Sequence, residues 1–272
     1  MVVQHNITAM NAQRQLGITT DNQAKSSEKL SSGYKINRAA DDAAGLAISE
    51  KMRRQIRGLS QASDNAQDGI SCVQIAEGAL QEVQDMLQRM NELSVKAAND
   101  TLTTDDRGYI QQEVNALISE IDRTASTTEF NNQTLLDGTF TAKNLQVGSE
   151  NLDDSRIVIS ICSLGAAGIG VSGLSVSTNT NADQAISIVK AAITSISSMR
   201  SDLGALQNRL EHTIKNLDNI TENTSAAESQ IRDTDMAEEM VRYSNNNILA
   251  QAGQSMLAQA NQTNQGVLSL LQ

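Results

Sequence analysis

Two stretches of this chain repeat apolar residues at alternating spacings of three and four. Val73, Ala76, Leu80, Val83, Leu87, Met90, Ser94 and Ala97 form the first. Leu203, Leu206, Leu210, Thr213, Leu217, Ile220, Thr224, Ala227 and Ile231 form the second, in which only the two threonines depart from apolar. That alternation is the seam of a coiled coil. It predicts long helices that bury one stripe against a partner helix. No proline occurs among the 272 residues, so nothing of that kind breaks a helix interior. Aromatic residues are only 2% of the chain: Tyr34, Tyr109, Tyr243, Phe130 and Phe140. The core must therefore be built from Ala, Leu, Ile, Val and Met, which suits helix-on-helix packing better than a large globular core. A helix over residues 60–99 would be roughly 60 Å long, whereas a compact globule of this length has a radius of gyration of only about 18 Å. The predicted fold class is mainly α, an elongated antiparallel helical bundle or coiled coil with a small β-hairpin region.

The organisation along the chain follows from the same reading. Ser31-Ser32-Gly33 marks a turn or helix interruption. Residues 42–58 read as one helix and residues 60–99 as the next, ended by Asn99-Asp100-Thr101. Residues 105–124 form a third, with Ile110, Val114, Leu117 and Ile121 on one stripe. Asn131-Asn132 and Asp137-Gly138 are turn signals. Leu145 and Val147 alternate, as do Ile157, Ile159 and Ile161, with Asp153-Asp154 between the two runs; this predicts the hairpin. Residues 163–181 are rich in Gly, Ser and Thr and read as a loop without a core of its own. Helix resumes near Asp183, and a last helix begins near Thr234 or Asp235, a capping residue.

The two ends are unusual. Residues 243–272 contain no charged side chain, and Arg14 is the only charged side chain among the first twenty residues, in a chain of formal net charge -11. Ile248, Ala252, Met256, Ala260, Val267 and Leu271 recur at spacings that fit one helical face, and Val3, Ile7, Met10 and Gly17 behave similarly. The remaining polar positions are mostly Gln and Asn. Helices polar only through amides suit contact with copies of themselves, where unpaired charge would be costly. Both ends are expected to be adhesive, and adhesive together.

The acidic balance excludes nucleic acid as a partner, because no basic stripe matches a phosphate backbone. It equally disfavours an anionic membrane surface, and no apolar run is long enough to span a bilayer. The first six residues lack the basic region and apolar core of a secretory signal, which predicts a cytosolic protein or one exported without a cleaved signal. Cys72 and Cys162 lie far apart in sequence and are expected to be two isolated buried thiols. There is no HExxH, CxxC, P-loop or GxSxG motif. His212 follows Glu211 on a heptad helix and is expected to face solvent. Asp41-Asp42, Asp105-Asp106 and Asp153-Asp154 are adjacent carboxylates, which do not face each other on a helix; capping explains them better than acid-base work. The chain is predicted not to be an enzyme and to need no cofactor or metal.

Several segments resemble bacterial flagellin. Residues 30–49 (LSSGYKINRAADDAAGLAIS) look like its N-terminal signature, and the similarity continues through residues 61–79 (QASDNAQDGISCVQIAEGA). It returns at residues 128–132 (TEFNN), 226–240 (AAESQIRDTDMAEEM) and 250–262 (AQAGQSMLAQANQ). The resemblance implies a filament subunit that assembles with itself and is exported by the flagellar type III apparatus. It implies an inner D0 domain from residues 1–42 and 233–272, and a D1 domain from residues 43–182 and 183–232. Only residues 163–181 remain where the family usually inserts outer domains, so a short form with D0 and D1 alone is expected. Ile7, Met10, Ile248, Met256, Val267, Leu268, Leu270 and Leu271 would carry D0 assembly. Implied partners are the flagellar cap, junction proteins and the export chaperone.

The family's Toll-like receptor 5 motif, Gln-Arg-x-Arg-Glu-Leu-Ala-Val, corresponds here to residues 88–95. Arg89, Glu92 and Leu93 are kept, while Asn91 stands for Arg and Ser94 for Ala. Glu113 matches a further acidic residue of that epitope. Arg89, Glu92, Leu93 and Glu113 are thus implied receptor contacts, with an exposed Arg beside an apolar Leu. The tail VLSLL, residues 267–271, resembles the segment read by NAIP-type receptors. The alternative is a hook–filament junction protein, which shares terminal coiled coils.

Overall fold

The computed structural model describes residues 6–269, with side chains for 6–262. The elements in chain order are α1 (Ile7–Ser32), α2 (Ala43–Ala97), α3 (Thr104–Thr127), β1 (Glu129–Phe130), β2 (Gln133–Thr134), β3 (Lys143–Gln146), β4 (Arg156–Ile159), α4 (Asn179–Arg232) and α5 (Met236–Ser269). The chain divides into two compact units, residues 1–54 with 223–272, and residues 55–222.

In the unit of residues 55–222, the α2 heptad is the spine of the core. Val73, Ala76, Leu80, Val83, Leu87, Met90, Ser94 and Ala97 all have no exposed surface. Ser94 joins this stripe because its hydroxyl donates to the Met90 carbonyl at 2.8 Å, which satisfies the group without a partner from another element. Ile110, Val114 and Ile121 of α3 and Ala182, Val189 and Ile196 of α4 complete the same cluster. Contacts between α2 and α4 run in opposite directions: Gln84 accepts from Arg200 at 2.7 Å, and Ser63 meets Asp218 at 3.5 Å. The two helices are antiparallel. The predicted α4 seam is buried at Leu203, Leu210 and Leu217, but Ile220 is exposed. His212 is exposed as expected.

The expected break between residues 58 and 60 is absent, and α2 runs through it. Gly58 serves a close approach instead. A Cβ there would lie 2.8 Å from Ser149 Cβ and 3.3 Å from Ser149 Cα. The hairpin pairs β3 with β4, antiparallel, with Leu145 opposite Ile157. Ile157, Ile159 and Ile161 face inward while Val158 is exposed, which is the alternation read from the sequence. A second, two-residue ladder pairs β1 with β2. Its turn is Asn131-Asn132, both left-handed at φ 48 and 60, a conformation asparagine tolerates.

Two further expectations fail. Residues 163–181 do not lack a core: Leu164, Ala166, Val171, Leu174 and Val176 are buried in the main cluster. Gln111 of α3 clamps the segment, donating to the Leu174 carbonyl at 2.9 Å and accepting from the Val176 amide at 2.6 Å. Asp122 accepts from the Ala166 amide at 2.7 Å. Backbone groups are thus paired by side chains rather than by a strand. The other concerns the thiols. Cys72 is buried, and burial raises its pKa, but Cys162 is exposed because it follows inward-facing Ile161 in extended chain.

Two of the three carboxylate pairs supply caps and turn acceptors. Asp41 accepts from the Asn37 and Arg38 amides, and Asp42 from Gly45. Asp106 closes a capping box with Thr103. Asp235 accepts from the amides of Ala237 and Glu238 at the start of α5.

Candidate assembly interface

The unit of residues 1–54 and 223–272 is built on α1 packed against α5. The less exposed positions of α1 include Ala9, Ala12, Leu16, Thr19, Gln23, Ser26 and Leu30. Those of α5 include Glu239, Tyr243, Asn246, Ala250, Gly253, Leu257 and Ala260. Both sets step by three and four, which makes them facing stripes of an antiparallel pair. Leu16 fits the space left by Gly253, where an added Cβ would lie 3.3 Å from Leu16 Cδ1. Asn6 holds one end by capping α1 at Ala9 and donating to the Ala260 carbonyl at 2.9 Å.

The seam is therefore made largely of small and amide-bearing residues around Leu16, Leu30, Tyr243 and Leu257, and many other large apolar residues lie elsewhere. Ile7, Met10, Ile18, Ile248, Leu249 and Met256 are between 50% and 65% exposed, and Met240 and Val241 are exposed with them. The faces read from residue size were thus not the faces that α1 and α5 turn toward each other, because small residues allow the closer approach. Ile7, Met10, Ile248 and Met256 point to solvent. Ile18, Met240, Val241 and Leu249 share that exposure and were missed. The heptad spacing of Ala9, Ala12 and Leu16 was the available signal. The side chains of Val267 and Leu268, and all of Leu270 and Leu271, lie outside the described residues, as does Val3.

A second cluster lies on α2 and α3. Arg89 Nε donates to Glu113 Oε1 at 2.9 Å and Nη1 donates to Glu92 at 3.0 Å. These carboxylates, Glu113 first, hold the guanidinium's pKa above its ordinary value. Lys96, Asp106 and Tyr109 border the same groove, of about 460 Å³. All four predicted receptor-contact residues, Arg89, Glu92, Leu93 and Glu113, line this groove. Leu93 is the least accessible of the four: only 3% exposed, it lines the groove while its side chain packs in the core. Its place beside the buried α2 stripe, next to Ser94, explains its low exposure. Among the described residues, no helix is long and apolar enough to cross a membrane.

The sequence matches the bacterial flagellin N-terminal helical region over residues 3–141 and the bacterial flagellin C-terminal helical region over residues 186–271. The chain belongs to the bacterial flagellin family. It is 52% identical to a flagellin of Halalkalibacterium halodurans over 271 residues, covering all of both chains. It is 50% identical to the flagellar filament 31.3 kDa core protein of Treponema maltophilum over 286 residues, again over both whole chains. These lengths make it a short flagellin. The crystal structure of Bacillus cereus flagellin is similar at a TM-score of 0.50 and 26% identity, covering 57% of this chain and 88% of that one. A putative flagellar hook-associated protein from Vibrio parahaemolyticus reaches a TM-score of 0.59, over 71% of this chain and all of that one, at 13% identity. That likeness is one of fold. Flagellins are structural proteins of the flagellar filament and not enzymes.

Proposed function

We propose that this flagellin is the repeating subunit of an extracellular flagellar filament, and that copies join through the apolar side chains that α1 and α5 leave outside their own seam. The exposed Ile7, Met10, Ile18, Ile248, Leu249 and Met256 carry this reading. A lone soluble chain has little reason to expose so many large apolar groups on two adjacent helices. One surface meeting a different surface of the next copy, without closure, generates an open helical polymer. In this reading residues 1–42 and 233–272 are the inner D0 domain and residues 43–232 the D1 domain. The export chaperone, the cap and the junction proteins meet the same ends before or during assembly, and NAIP-type receptors read the leucine tail.

Electron microscopy of the purified chain under polymerising conditions tests this. Long filaments are expected from the full chain, and none after removal of residues 1–20 or 245–272. Normal polymerisation by either truncation overturns the reading.

The finer proposal is that the unassembled subunit is bound by Toll-like receptor 5 through Arg89, Glu92 and Glu113. Its support is the grouping of these residues on one exposed face, with Arg89 half exposed and already oriented by two carboxylates. An oriented arginine at the centre of a groove is a frequent hot spot. Leu93 contributes only by supporting this surface from beneath. A receptor-binding assay should lose at least tenfold in affinity with Arg89→Ala. Unchanged affinity removes the proposal.

A further inference from the structure

The connection from α1 to α2 runs beside the connection from α4 to α5. Tyr34 and Asp233 form an isolated antiparallel bridge. The Lys35 amide donates to the Arg232 carbonyl at 2.6 Å, and the Thr234 amide to the Gly33 carbonyl at 3.0 Å. Over this bridge lies the Arg232 guanidinium, 4.5 Å from the centre of the Tyr34 ring. Its Nη1 donates to Glu50 Oε1 at 3.0 Å, and Glu228 Oε1 is 4.0 Å away. The side chain is only 13% exposed. Its buried Nε has no hydrogen-bond partner among the described residues.

An arginine so placed is a costly choice for stability alone. Burying a charge and leaving one N–H idle works against the fold. Such groups are best attested where they fix a register that apolar packing leaves open. The neighbouring α1–α5 seam fixes its own register weakly, chiefly by Leu16 against Gly253 and by the Asn6 bond to the Ala260 carbonyl. Ala9, Ala12, Thr19, Ser26, Ala250, Gly253 and Ala260 offer few shapes that a displaced partner would violate. A slip of one heptad, about 10 Å along the axis, would bring Leu16 opposite Ala260 or Asn246 in place of Gly253. Small or amide residues would still meet there. The stack of Arg232 on Tyr34 lies where both helices are anchored, immediately after α1 and immediately before α5.

We infer that Arg232 is a positioning residue: held between Tyr34 and Glu50, it fixes the register in which α1 pairs with α5. The consequence for assembly rests on the filament reading, since register decides which apolar side chains the pair presents to another copy. The register itself does not depend on that reading.

Disulfide trapping in the full chain tests the inference. Cys72→Ser and Cys162→Ser remove the native thiols. Leu16→Cys is then combined with Gly253→Cys, in register, or with Ala260→Cys or Asn246→Cys, one heptad off on either side. A disulfide needs Cα atoms within about 7 Å, so a heptad slip is resolved. After oxidation, dissociated monomers are scored for the internal cross-link by mass spectrometry. With native Arg232, only the pair at 16 and 253 should close. Adding Arg232→Ala should lower that product at least threefold and raise an off-register one. Arg232→Lys, which keeps charge without the planar fork, should fall between, and Tyr34→Phe should match the native pattern. A role confined to stability would lower all products together, without transfer from 253 to 260 or 246, and would overturn the inference. Glu50→Gln provides the gentler variant should Arg232→Ala fail to fold, and an unchanged pattern there also overturns it. Absence of filaments from the native chain would count against the filament reading and leave the cross-linking result to stand alone.

Discussion

At the scale of single residues, two glycines on α2 separate conformational preference from packing. Replacing helical Gly by Ala gains about 1 kcal/mol of helix propensity. Gly78 has nothing within 4 Å of an added Cβ, while Gly58 faces Ser149, including its backbone at 3.3 Å. Gly78→Ala should therefore raise the urea midpoint and Gly58→Ala should lower it, although both sit on the same helix. Equal shifts would mean the Ser149 contact yields freely. The surface carboxylates give a second expectation. Hydrogen bonds depress the pKa of Asp41, Glu50, Asp106, Glu120 and Asp137: backbone amides at Asp41, Arg232 at Glu50, and Thr103, Arg123 and Thr134 at the others. A group whose folded pKa is lowered contributes stability above its unfolded value and loses it as pH falls through its folded value. Acidification below about pH 4 should thus lower the urea midpoint. Asp106→Asn should differ from the parent at pH 7 and approach it at pH 3; a gap of the same size at both values would deny the carboxylate its capping role.

At the scale of elements, what the sequence revealed depended on who the partner is. The α2 stripe from Val73 to Ala97 was legible because its apolar residues meet other parts of the same chain, so size and spacing agree. On α1 and α5 they disagree. Spacing marks Ala9, Ala12 and Leu16 as the seam, while size marks Ile7 and Met10, which remain exposed. Hydrophobic size alone cannot tell an internal partner from an external one. The segment 163–181 was misread for a related reason. Its five buried apolar residues are spaced irregularly, and its backbone is satisfied by Gln111 and Asp122, distant side chains that leave no local pattern. Arg89, Glu92, Leu93 and Glu113 line one groove, with Leu93 largely buried beside the α2 stripe. The clamp also predicts where this element would loosen. Gln111→Ala should cost about 1–3 kcal/mol, since it strands a part-buried amide and carbonyl. Amide exchange at Val176 and proteolysis within residues 164–178 should accelerate, with little change in α2. Uniform acceleration along the chain would show that Gln111 supports the whole unit.

At the scale of the whole molecule, charge is divided as sharply as packing. Residues 55–222 hold 11 basic and 22 acidic side chains, and the remainder hold 10 of each. The entire formal net charge of -11 therefore belongs to one unit. The unit that exposes the apolar side chains of α1 and α5 is neutral overall, and its last thirty residues are uncharged. Assembly would gather many copies of the acidic unit together with the neutral one. Repulsion between the acidic units should oppose polymerisation at low ionic strength and fade as salt shortens the Debye length from about 10 Å at 0.1 M to 3 Å at 1 M. The critical concentration for filament formation should accordingly fall as sodium chloride rises. Glu82→Gln with Asp85→Asn, exposed on α2, should flatten that dependence without altering secondary structure. Substitutions of the apolar surface act differently. Ile248→Ser should raise the critical concentration at every salt level, because screening does not restore lost apolar burial. If Ile248→Ser instead loses its effect at high salt, the contact between copies is governed by charge rather than by the apolar faces of α1 and α5.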